Sequence, residues 1–291
     1  MAIPKTKKVT GFEIPALGLG TWQMGGRLEP DYSNDAECVS AIKYALDLGY
    51  KHIDTAEVYA AGHAEELVGK AITDYDRSKL FITSKALTGN LRYDDVLFAA
   101  KNSLKRLRTD YLDLYLVHFP NPEIPIQETI KAFDELVAEG LVKHIGLSNF
   151  TVEQFKEAQD CTENKLVANQ IEYSLIARNK GKYMTGMESE ILPWCQDNDV
   201  IFMAWRPVAK GLLAKPNELL DEMAGKYGRT RTQIALNWLV SKKNVITMPK
   251  AVKHEHIKQN FEALDFELSA KDVKRLDEDF VPKDDPALYD Y

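Results

Sequence analysis

Cysteine is scarce in this chain. Its three copies among 291 residues, Cys38, Cys161 and Cys195, are odd in number, far apart and without neighbours at metal-ligand spacing. That excludes a disulfide scaffold and a cysteine-built zinc site, and leaves free thiols. Long apolar runs are missing as well: the start Met-Ala-Ile-Pro-Lys-Thr-Lys-Lys lacks the core of a signal peptide, and no run approaches the roughly 20 residues that span a bilayer. A cytoplasmic protein without membrane attachment is expected. Positive charge is also short, with 37 Lys and Arg against 44 Asp and Glu, a formal charge of -7 and a pI near 5.5. Nucleic acid is therefore not the expected partner, and an anionic ligand must be held by local clusters of cations.

What is present is an ordinary globular composition, 45% hydrophobic and 28% charged, at a length that suits two small domains or one large α/β barrel. After a hairpin around Gly11, short apolar runs alternate with helical patterns. Strands are predicted at 16–20, 52–54, 80–84, 112–117, 142–147, 167–171, 199–204 and 244–248. Between them, Asn34 or Asp35 caps a helix carrying Val39, Ile42, Ala45 and Leu46, and further helices are read at 64–72, 93–107, 127–139, 152–160, 187–197, 217–227 and 230–241. Two more follow the last strand, near 254–261 and 269–279.

Eight β-then-α units point to a closed (β/α)8 barrel over residues 1–291, with an N-terminal hairpin and extra C-terminal helices. The competing fold is an open doubly wound sheet with a glycine-rich dinucleotide turn. Gly18-Leu19-Gly20-Thr21-Trp22-Gln23 has two of the glycines, but glutamine stands at the third position and no helix begins there, so that fold is rejected.

In a (β/α)8 barrel, chemistry gathers at the C-terminal ends of the strands. Asp54 closes one predicted strand, Lys85 the next and His118 the one after, and Tyr59 follows Asp54 by five residues. A carboxylate at the end of a buried strand needs a cation, because an unpaired one costs several kcal/mol; Lys85 is the candidate. A phenol beside that ammonium is expected to have its pKa drawn down from near 10, bringing proton donation within reach near neutral pH. Such a group protonates an oxygen that gains negative charge, as a carbonyl does when hydride arrives, while the histidine hydrogen-bonds that oxygen. The hydride must come from a cofactor.

Read jointly, Gly18-Leu19-Gly20-Thr21-Trp22, Asp54-Thr55-Ala56 with Tyr59, Ile82-Thr83-Ser84-Lys85, Leu116-Val117-His118-Phe119-Pro120, Ile145-Gly146-Leu147-Ser148-Asn149-Phe150, Asn169-Gln170-Ile171-Glu172-Tyr173 and Met248-Pro249-Lys250 resemble the aldo-keto reductases along essentially the whole chain. The resemblance implies NADPH-dependent reduction of aldehydes and ketones on a (β/α)8 barrel. By it, Tyr59 is the general acid, Lys85 lowers its pKa, Asp54 pairs with Lys85 and His118 orients the carbonyl. The cofactor would be held by Gly20, Thr21 and Trp22, by Ser148, Asn149 and Gln170 on the nicotinamide carboxamide, and by Trp205 stacking where the family usually has tyrosine. Arg206, Val208 and Lys210 would follow the pyrophosphate, and Lys250, Ala251, His256, Gln259 and Asn260 the adenosine end. Ala251 replaces a common serine and His256 a common arginine. Histidine brings a weaker charge and no bidentate fork, which opens NADH as the alternative; NADPH stays the expected cofactor because Lys250 remains and Lys253 can assist.

Plainer readings stand beside these. His52-x-Asp54 imitates a metal pair, but no His-x-His pattern accompanies it, so His52 reads as structural and no metal is expected. His63, His144 and His254 read as surface or loop residues. Trp22, Tyr59, His118 and Phe119 are expected to wall a substrate pocket, with the loop 25–34 and the stretch 60–64 at its rim, while Tyr289 and Tyr291 cover apolar surface. The acidic 262–285 region reads as a solvated closing helix and tail. The tail after Asn260 hints at an open site for small aldehydes, ketoaldehydes or sugars, and a monomer is expected. Two other functions compete: a nucleotide-binding regulatory barrel with little turnover, and a metal-dependent barrel hydrolase.

Overall fold

The computed structural model describes residues 5–281. Tyr289, Tyr291 and the end of the acidic tail lie outside the described residues. The chain opens with an antiparallel hairpin, β1 (Thr6–Val9) and β2 (Phe12–Pro15), turning at Gly11. Eight parallel strands follow in sequential order: β3 (Gly18–Gly20), β4 (His52–Asp54), β5 (Phe81–Ala86), β6 (Leu112–Val117), β7 (Val142–Ser148), β8 (Leu166–Glu172), β9 (Ile201–Trp205) and β10 (Val245–Thr247). Bridges from Leu17 to Thr247 and from Gly20 to Lys250 bring the last strand against the first, so the sheet closes. Gly20 sits at this seam, where a Cβ would lie 2.6 Å from the Met248 carbonyl oxygen. Only glycine lets the two backbones approach that closely.

Helices lie between successive strands: α1 (Asp35–Leu48), α2 (His63–Ile72), α3 (Tyr93–Leu107), α4 (Ile126–Ala138), α5 (Val152–Gln159), α6 (Leu192–Asp197), and the pair α7 (Glu218–Tyr227) and α8 (Arg231–Ser241). After β10 come α9 (His254–Phe261) and α10 (Ala270–Glu278). Thr151 and Thr230 begin α5 and α8 with full capping boxes, each closed by the glutamine three residues on. Most predicted boundaries hold to within two residues, and two of the differences change how the chain is read. Strand β5 runs on to Ala86, so Lys85 lies inside it and does not terminate it. The helix read at 187–197 is a π-type turn at Met187–Ile191 followed by the shorter α6, with Pro193 in the first turn of the true helix.

Side chains alternate along the strands. Leu114, Leu116, Ala168, Ile201, Met203 and Ile246 fill the barrel interior, while a second, larger layer packs the outer faces of the strands against the helices. The hairpin plugs the N-terminal mouth, where Phe12 packs edge-on against Phe81 at 5.8 Å and His144 at 4.7 Å. His144 is thus part of a strand and half-buried under the hairpin, contrary to the surface reading. With one mouth stoppered, polar side chains gather at the other.

Candidate active site

Four strand ends meet at the open mouth. Lys85 is fully buried, and its ammonium has three acceptors: Asp54 Oδ1 at 2.7 Å, the Thr55 carbonyl oxygen at 2.6 Å and Tyr59 Oη at 3.4 Å. An ammonium has three protons, so this set uses all of them. The phenolic oxygen accepts from Lys85, which leaves its own proton to be donated elsewhere. Asp54 is held from the other side by the Gln170 amide, which donates to Oδ2 at 2.8 Å. The His118 ring lies 5.8 Å from that of Tyr59, and Trp22 packs edge-on against Tyr59 at 4.9 Å.

The charges follow from this geometry. Burial works against the Lys85 ammonium, but Asp54 and Tyr59 outweigh it and raise its pKa above the ordinary lysine value. For Tyr59 the balance tips the other way from the sequence expectation: burial pushes the phenol above 10, and the opposing pull of Lys85 does not cancel it. Tyr59 is therefore a firmly protonated phenol. Burial, with Lys85 adding to it, takes His118 down to about 3, so its imidazole is neutral and can hydrogen-bond a carbonyl oxygen without protonating it.

Around this centre the remaining candidates interlock. Ser148 Oγ donates to the Gln170 carbonyl at 3.0 Å. Asn149, whose backbone is left-handed at φ 63°, donates its amide to Ser148 Oγ at 2.9 Å and to the His118 carbonyl at 3.0 Å. The Trp205 indole donates to Asn149 Oδ1 at 3.1 Å. Thr21 reaches the Asp54 carbonyl through both its backbone N–H and its hydroxyl, each at 3.0 Å. The structure thus brings together Gly20, Thr21, Trp22, Asp54, Tyr59, Lys85, His118, Phe119, Ser148, Asn149, Gln170 and Trp205.

The other candidates are spread over two neighbouring segments. The guanidinium of Arg206 meets Glu172 at 3.3 Å and lies 5.3 Å from the Trp205 ring centre. Arg206, Ala209 and Lys210 all have left-handed backbones, with Val208 half-buried among them. Lys250 is exposed beside Gly20, and Ala251 is buried. On α9, His256 is exposed, Gln259 donates to Glu255 at 3.1 Å and Asn260 is buried.

The sequence reading missed three site residues. Glu172 ends β8 as Asp54 ends β4, so the same argument about a carboxylate closing a strand would have found it. Thr55 enters through its backbone carbonyl, which no residue type announces. Tyr183 packs against both Phe119 and Trp205 from a loop without periodicity. His63, read as a surface residue, is buried with its ring nitrogens 2.7 Å from Asp35 and 2.8 Å from Glu66, tying α1 to α2. His52 is buried against Thr83 at 3.0 Å. Among the described residues no group of three His, Cys, Asp or Glu is placed to hold a metal ion, and no helix is long and apolar enough to cross a membrane.

Comparison with known proteins gives one consistent picture. The model of the aldo/keto reductase family matches residues 16–279. Methylglyoxal reductase YeaE of Escherichia coli is 36% identical, covering 94% of this chain and 94% of its own. Glyoxal reductase of Bacillus subtilis is 34% identical over 92% of this chain and 89% of its own. A crystal structure of an aldo-keto reductase from Klebsiella pneumoniae in complex with NADPH superposes with a TM-score of 0.86 at 35% identity, covering 98% of both chains.

Proposed function

The chain belongs to the aldo/keto reductase family, and from that premise we propose that it reduces aldehydes and ketones to alcohols with NADPH, the proton coming from Tyr59. The observation that carries the proton assignment is the three-acceptor shell of Lys85, in which Tyr59 Oη accepts and so keeps its own proton for the substrate.

The residues present fit the cofactor. Hydroxyl and amide groups on Ser148, Asn149 and Gln170 stand beside the partly exposed Trp205 indole, suited to a flat ring bearing a carboxamide. Lys250, Lys253 and His256 are exposed before and within the first turn of α9, suited to a phosphate. NADPH bound there supplies the hydride. His118, neutral, donates a hydrogen bond that fixes the carbonyl oxygen near Tyr59; Tyr59 gives that oxygen its proton as charge develops, and Lys85 stabilises the phenolate left behind. Asp54 keeps Lys85 charged and in place. Trp22 and Phe119 form apolar walls.

We further read residues 1–291 as one domain that acts as a monomer in the cytoplasm, on small carbonyl compounds and not on nucleic acid. The formal charge of -7 and the span of the family match support that reading. Following NADPH absorbance with methylglyoxal and with larger aldehydes tests the activity. Oxidation that depends on the aldehyde is expected; NADPH binding without turnover would favour the regulatory-barrel alternative.

A further inference from the structure

Between β8 and α6 the chain makes a small hairpin of its own. Lys180 and Thr185 form an antiparallel bridge, Gly181 N–H donates to the Met184 carbonyl at 3.0 Å and Gly186 N–H to the Asn179 carbonyl at 2.9 Å, which leaves Tyr183 at the tip. The hairpin is seated on Glu172. One carboxylate oxygen accepts the Lys182 backbone N–H at 3.1 Å, and the other accepts Arg206 at 3.3 Å. Gly181 crosses this carboxylate so closely that a Cβ would stand 2.7 Å from Glu172 Oε2. Glu172 itself is nearly buried, so the tip has a defined position.

From that position Tyr183 joins two walls that would otherwise stand apart. Its ring meets Phe119 edge-on at 5.1 Å and Trp205 at 6.4 Å. Phe119 in turn stacks on His118 at 5.3 Å, and His118 leads through Tyr59 to Trp22. Trp205 returns to His118 through Asn149. Tyr183 thus closes a path that runs through Phe119, His118, Asn149 and Trp205, from which Tyr59 and Trp22 branch at His118, and it keeps 50% of its surface exposed, enough to receive a ligand.

We propose that Tyr183 is a specificity-determining wall of the carbonyl pocket, favouring aldehydes that carry a flat aromatic substituent over small dicarbonyls, and that Glu172 is the residue that positions it. The inference rests on the reductase reading and names the substrate class of that same site. An aryl group packs edge-on or offset against such rings, an interaction worth about twofold to tenfold in affinity per ring pair. A small dicarbonyl makes only the contacts to Tyr59 and His118, and gains nothing from Tyr183.

The test compares kcat/KM for benzaldehyde and for methylglyoxal, with saturating NADPH, in the wild type, Tyr183→Ala, Tyr183→Phe and Gly181→Ala. The expected result is a fall of about twofold to tenfold in the benzaldehyde-to-methylglyoxal ratio for Tyr183→Ala, carried by KM and not kcat, with the ratio kept by Tyr183→Phe. Gly181→Ala, which displaces the hairpin without altering the ring, should lower the ratio in the same direction. A ratio unchanged in Tyr183→Ala, or equal losses on both aldehydes, would overturn the inference while leaving the reductase reading intact. No turnover of either aldehyde by the wild type would overturn both.

Discussion

Gln170 reaches across the barrel from β8 to donate its side-chain amide to Asp54 Oδ2, at 2.8 Å, on the strand diametrically opposite. The carboxylate that holds Lys85 with one oxygen is thus held with the other by a residue of the proposed nicotinamide clamp. One buried contact joins the proposed proton-donating machinery to the proposed cofactor site.

Replacing Gln170 with leucine should accordingly do two things at once. The buried Asp54 oxygen loses the Gln170 donor, at a cost of about 1–3 kcal/mol in stability, and the KM for NADPH should rise several-fold. Thermal unfolding and cofactor titration measure the two effects separately. A variant with raised KM and unchanged stability would show that the contact to Asp54 does not matter.

Acid should destabilise the fold through His52. Burial takes this fully buried histidine down to about 4, whereas in the unfolded chain it titrates near 6.5. Between these values the unfolded state binds a proton that the folded state refuses, so the contribution is complete above about 6.5 and is lost as pH falls towards 4. The slope is at most about 1.4 kcal/mol per pH unit. Melting curves of His52→Gln should fall less steeply than those of the wild type over this range; parallel curves would contradict the assignment.

The direction of the Tyr59 shift decides the pH dependence of catalysis. A phenol held above its ordinary value stays protonated through neutrality, and neutral His118 does not titrate there either. Carbonyl reduction should therefore show a kcat that is flat from about pH 6 to 9 and declines only in more alkaline solution, while alcohol oxidation, which needs the phenolate, should rise with pH. An inflection in reduction between pH 7 and 8 would indicate that Lys85, and not burial, dominates in the working enzyme.

At the proposed adenosine end, exposed Lys250 and His256 offer a weaker charge than a lysine and an arginine together would. NADPH should be preferred over NADH. His256→Arg should widen the preference about tenfold by adding a bidentate donor, and Lys250→Met should narrow it by a similar factor. Equal kcat/KM values for the two cofactors in the wild type would contradict the reading of this region.

How much of this could be read from the chain depends on the kind of contact. Asp54, Lys85 and His118 were legible because parallel strands in register bring equivalent positions to one rim: Gly20 lies beside Asp54, and Lys85 beside Leu116, two residues before His118. The alternation of apolar runs was enough to identify the barrel. The sign of the Tyr59 shift was not legible, because it is a difference between burial and a nearby cation, and burial is known only once the strands close. Neither was the Tyr183 hairpin: its position is set by the Glu172 carboxylate eleven residues earlier, and nothing in its local pattern records that contact. His63 looked exposed because it falls in the loop stretch 60–64 ahead of the helix predicted at 64–72, yet it opens α2 and has Asp35 and Glu66 as polar partners inside.

The central claim is that Tyr59 delivers the proton, and the direct measurement is NADPH oxidation by Tyr59→Phe against the wild type with methylglyoxal, alongside NADPH affinity from fluorescence titration. The account predicts a loss of kcat of about 10²- to 10⁴-fold with NADPH still bound. A phenylalanine variant that turns over within tenfold of the wild type would contradict it.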